Sequence, residues 1–101
     1  MVQARIEDLY ALYNTLEKSM RETDTMISNV DGSLAQANEE WQSTGAKEFN
    51  EAWVQFKQAL TNLCQAFANA GTDVAFQHNN FAAGAKEEDQ HPVLPPLTSP
   101  R

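Results

Sequence analysis

Two long stripes of apolar side chains run along the chain. The first is Ile6, Leu9, Tyr13, Leu16, Met20, Ile27, Val30, Leu34, Ala37 and Trp41, with polar Thr23 completing a strict alternation of three- and four-residue steps. The second repeats the rule with Ala46, Phe49, Trp53, Phe56, Leu60, Leu63, Phe67, Ala70, Val74 and Phe81, with Gln77 as its polar member. A mean period of 3.5 residues keeps each stripe on one side of a helix facing a helical neighbour. Strands would alternate every second residue. The pattern predicts an all-α chain.

All four prolines, Pro92, Pro95, Pro96 and Pro100, fall in the last ten residues, so everything before them is free to be helical. Helix one is expected over about 3–41, a turn over 42–45 and helix two over about 46–84. Thr44 and Gly45 are the two candidate caps of the second helix, with Glu48 in its first turn at the positive end of the dipole. Two arms of similar length on a short connector make an antiparallel hairpin. Residues 1–88 form that domain, and 89–101 are expected to be a flexible proline-rich tail with an apolar motif around Leu94 and Leu97.

The residues flanking each stripe point to a second contact surface. Leu12, Ser19, Met26 and Ser33 flank the first at seven-residue spacing, and Ala52, Ala59 and Ala66 flank the second. Small side chains let helices approach closely, and the added apolar width exceeds what one pair of helices covers. The hairpin is therefore expected to dimerise into a four-helix bundle. The seam residues expected to carry the core or the dimer contact are Leu16, Ile27, Leu34, Phe49, Trp53, Phe56, Leu60, Leu63 and Phe67.

Composition narrows the function. At 101 residues a deep enclosed catalytic cavity is not expected, and 14 acidic against 7 basic side chains, a net charge of −7, oppose binding to nucleic acid. No run approaches the roughly 20 apolar residues of a membrane span. The segment from Met1 to Asp8 lacks the basic and apolar regions of a secretory signal, so no N-terminal signal peptide is expected. Cys64 is the single cysteine, which excludes an internal disulfide and points to an inert buried thiol. His78 has no second histidine or carboxylate at ligand spacing, and the neighbouring acids Glu39 and Glu40 diverge around a helix. No catalytic residue, metal site or cofactor is expected.

Trp41 followed by small residues in the connector, Phe49 eight positions on and Trp53 four further make the chain similar to a known group. It resembles the Trp-X-Gly family of ESAT-like type VII secretion substrates over roughly residues 5–90. The resemblance implies a hairpin paired with itself or with a sister chain, cytoplasmic until an ATPase-driven membrane machine exports it to the surface or the medium, and without enzymatic activity. Its turn motif falls on Trp41, Ser43 and Gly45, with Ser43 where the family places glycine. The family's secretion signal, Tyr-x-x-x-Asp/Glu, falls at Phe81, but the fourth residue after it is Ala85 and acids come only at Glu87, Glu88 and Asp89. A degenerate signal implies the half of a heterodimer whose partner carries the address, which favours a heterodimer over a homodimer. The alternative is a cytoplasmic coiled-coil interaction module that is not secreted.

Overall fold

The computed structural model describes residues 2–85 and 92–101, with side chains described over 5–84 and 92–101. Two helices, α1 (Val2–Ala37) and α2 (Thr44–Ala85), form an antiparallel hairpin 62 Å long and 18 Å across. Among the described residues there is no strand, and no helix is long and apolar enough to cross a membrane.

Helix α1 stops at Ala37, before Trp41. The amides of Glu39 and Glu40 turn back to the carbonyls of Gln36 and Ala37 at 3.3 and 3.0 Å, three residues upstream, which tightens the final turn. Helix α2 is capped by Ser43, not by Thr44 or Gly45. The Ser43 hydroxyl accepts the Ala46 amide at 3.1 Å, and the Ser43 carbonyl accepts the first intrahelical bond from Lys47 at 3.0 Å. Thr44 and Gly45 are thereby the first two residues inside the helix, where their own amides need no internal acceptor.

The core line on α1 is Ile6, Tyr13, Met20 and Ile27, each seven residues after the last and all buried. It faces Ala46, Trp53 and Leu60 on α2, in the expected phase. Beyond Leu60 the buried line moves: two consecutive four-residue steps lead to Cys64 and Ala68, and burial continues at Gly71, Ala75, His78 and Ala82. Each lies one residue after the expected Leu63, Phe67, Ala70, Val74, Gln77 and Phe81. An α-helix turning every 3.6 residues drifts by about 20° per heptad from a 3.5-residue repeat, so about five heptads displace the contact line by a whole residue. Apart from His78 the displaced line is made of small residues, which leave room for large side chains such as Tyr13 on α1. Burial pushes the Cys64 thiol up from its ordinary pKa, and the nearby Asp24 carboxylate adds to that shift.

The tail is expected to be flexible over 89–101, and its described part lies against the hairpin. Residues 92–101 are neither helical nor strand, as four prolines require, but they are docked on the hairpin and not free. Leu94 pairs with Asn79 and Leu97 with Thr72, so three tail residues span the ~10.5 Å that seven residues of helix cover. Near-full extension reaches about 10 Å over three residues, so the tail runs extended and antiparallel to α2.

Candidate partner-binding face

A residue four positions after a core residue lies about 40° round the helix from it, and one three positions after lies about 60° the other way. The two edges of the hairpin seam are therefore set by the sequence, and they differ. On the four-residue edge polar side chains tie the helices together. Asn38 and Asn50 exchange amide hydrogen bonds of 2.8 and 3.1 Å, and the Asn50 amide also reaches the Ala46 carbonyl at 2.7 Å. One layer further along, Asp31 accepts the indole N–H of Trp53 at 2.8 Å and meets the Lys57 ammonium at 2.5 Å. The hydrogen bond from Lys57 and then that from Trp53 hold the Asp31 carboxyl below the usual carboxylate range.

The three-residue edge is apolar and open. Phe49, Phe56 and Leu63 stand seven residues apart on α2 and are 44%, 58% and 43% exposed. On α1, Leu12 and Met26 of the flanking line are also exposed, beside half-buried Leu9, Leu16 and Val30. Val30, Ser33, Leu34, Ala37 and Phe49 together line a shallow groove near the hairpin tip. Large apolar side chains in register on one face are what a partner helix needs.

The expected seam residues thus divide. Ile27, Trp53 and Leu60 lie in the hairpin's own core, with Leu34 and Phe67 packed at its margin. Leu16 is half-buried, and Phe49, Phe56 and Leu63 face outward. At the tip, Trp41 lies beyond the end of α1 with its ring 6.2 Å from that of Phe49 and with much of its surface exposed. Ser43 supplies the cap and Gly45 sits exposed in the first turn of α2. Phe81 is half-buried, with the Arg5 guanidinium 5.5 Å above its ring. Glu87 and Glu88 lie outside the described residues.

The polar cross-links were not anticipated, although Asp31, Asn38, Asn50 and Lys57 share one trait readable in the sequence. Each follows a seam residue by four. His78 is fully buried in the core line, with Nδ1 3.1 Å from the Asn79 side-chain oxygen and its ring beside that of Tyr10. Among the described residues no group of three His, Cys, Asp or Glu side chains converges.

No curated protein and no solved structure matches the chain. A family model does, over residues 2–84, and it takes in both helices and the tip between them. Its description, proteins of 100 residues with a Trp-X-Gly motif, fits a chain of 101 residues whose Trp41 marks the turn, and its members are small helical ESAT-like substrates exported by type VII systems. With the match covering most of its length, this chain belongs to the WXG100 family.

Proposed function

We propose that the protein works by helix packing, as an export substrate or adaptor of a type VII secretion system that pairs through its open apolar edge. The observation that carries this reading is the row Phe49, Phe56 and Leu63, exposed in register while the hairpin core is complete without them. With about half of each side chain already covered, burying the rest against a partner hairpin would gain on the order of 1 kcal/mol each. WXG100 proteins typically pair with sister chains.

A sister chain is favoured over a second copy as the partner. Ala85 stands where the family's signal needs an acid, and the Phe81 ring at the aromatic position is engaged by Arg5. The export address then comes in trans, from the tail of the partner, and the secretion ATPase reads the pair. The chain is cytoplasmic before export and secreted or surface-bound after it.

The test is the native mass of the purified chain, alone and co-expressed with a neighbouring sister chain, measured by light scattering at tens of micromolar. A dimer in either preparation supports the reading. A monomer that melts cooperatively in both overturns it, since one hairpin would then cover its own apolar surface.

A further inference from the structure

The docked tail shows a kind of recognition that the paired-hairpin reading does not use. The hairpin contributes side chains and the tail contributes mainly backbone. Asn79 accepts the Leu94 amide at 2.9 Å and donates to the Leu94 carbonyl at 3.0 Å, so one carboxamide satisfies both backbone groups of one residue. The Thr72 hydroxyl does the same for Leu97, at 3.0 and 3.1 Å. Between them the hydroxyl of buried Tyr13, reaching across from α1, donates to the Pro95 carbonyl at 2.8 Å.

Two side chains of the tail are also read. Leu97 lies against Gly71, where a Cβ would overlap its Cδ1 and come 2.9 Å from its Cγ, so the missing side chain in mid-helix is the socket for this leucine. Glycine there costs helix stability of about 1 kcal/mol relative to alanine, and the socket supplies a reason for it. At the far end the Arg101 guanidinium pairs with Asp24 at 2.7 Å and donates to the Ser28 hydroxyl at 2.8 Å. Pro95 and Pro96, with φ fixed near −65°, hold the segment extended before it binds and so lower the ordering cost.

We propose that the cleft formed by Tyr13, Asp24, Ser28, Gly71, Thr72 and Asn79 is a peptide-binding site for an extended Leu-Pro-Pro-Leu segment with an arginine four residues after its second leucine. In the resting chain its occupant is residues 92–101 of the same molecule, and once they are released the site takes the same segment from a second copy. Backbone recognition by carboxamide and hydroxyl sets the register; the glycine socket and the Asp24 carboxylate set the sequence. The docked tail closes the polar edge of the hairpin and leaves the Phe56 edge open. This site is independent of that edge, so its test does not turn on whether the hairpins pair.

The experiment measures fluorescence anisotropy of a labelled synthetic peptide, Pro92 to Arg101, titrated with the chain ended at Gln90 and with the full chain. Saturable binding to the shortened chain is expected, weaker by about tenfold or more for the full chain, because a tethered tail competes at an effective concentration in the millimolar range. Gly71→Ala in the shortened chain should keep its helical circular dichroism and weaken the peptide by about tenfold. A helical shortened chain that ignores the peptide, or equal binding by both chains, would overturn the proposal. Should the shortened chain fail to fold, heteronuclear NOEs of the full chain decide: Leu94 and Leu97 as rigid as α2, and loosened in Gly71→Ala, are expected. Mobile Leu94 and Leu97 in the unsubstituted chain, or a tail unmoved by Gly71→Ala, would sink it.

Discussion

The indole N–H of Trp53 on α2 ends on Asp31 of α1 at 2.8 Å, and the second oxygen of the same carboxylate faces Lys57 at 2.5 Å. One acid on the first helix therefore holds two consecutive turns of the second. Because these bonds favour the ionised form, the Asp31 carboxyl titrates below its ordinary value. Its contribution to folding is present above the unfolded-chain pKa of about 3.9 and fades as pH falls through the lower folded value. Thermal melts of the native chain and Asp31→Asn between neutral pH and about pH 2 should show a gap in Tm that is widest above roughly pH 4 and narrows below it. A gap independent of pH would mean that the carboxylate charge is not what joins the helices.

Leu60 and Leu63 are three residues apart and were equivalent in the sequence pattern, but Leu60 is 9% exposed and Leu63 is 43% exposed. Leu60→Ala removes a side chain from the cluster of Met20, Ile27 and Trp53 and should cost on the order of 2 to 5 kcal/mol. Leu63→Ala should leave the stability of the isolated hairpin within about 1 kcal/mol of native, since surface truncations stay small. Urea denaturation at concentrations low enough to favour monomer separates the two. Equal losses would place Leu63 in the hairpin core.

This pair also shows how far periodicity reaches. The stripes carried the two helices and the core from Ile6 to Ile27 and from Ala46 to Leu60, and the short connector carried their antiparallel order. They failed beyond Leu60, because a heptad count assumes a supercoil that two helices need not keep, and the smaller Cys64, Ala68 and Gly71 gave a better-fitting line one residue on. The polar ties between Asn38 and Asn50 were invisible for a different reason: pairing across helices depends on which layers meet, and that is set by where the turn ends. In the tail, proline content rules out helix without ruling out docking. The clue lies in Gly71, a glycine in mid-helix that costs about 1 kcal/mol relative to alanine unless something packs into the space it leaves.

Ser43 occupies the position the family gives to glycine, and here its hydroxyl caps α2 through the Ala46 amide. Ser43→Ala should cost about 0.5 to 2 kcal/mol, whereas Ser43→Gly should cost only a few tenths, since glycine is itself an acceptable cap. Chemical denaturation of the two variants checks this order. Alanine tolerated as well as glycine would show that the connector, not the hydroxyl, fixes the start of the helix.

Phe56 separates pairing from folding, because it lies mid-row on the open edge, is 58% exposed and has its ring centroid 6.4 Å from that of Trp53. Its truncation should therefore spare the monomer and tax the assembly. Aromatic anchors at the centre of a desolvated contact lose about 2 kcal/mol or more on truncation to alanine, roughly thirtyfold in Kd. Sedimentation of Phe56→Ala, with whichever chain pairs with the native protein, should show that weakening while the helical circular dichroism and the melting of the dilute hairpin stay native. Gln58, on the same helix but hydrogen-bonded only to exposed Asn62 among its described contacts, is the control, and Gln58→Ala should leave both readings unchanged. Unaltered pairing by Phe56→Ala would move the contact away from this edge, because no large apolar side chain stands closer to the middle of the row than Phe56 does.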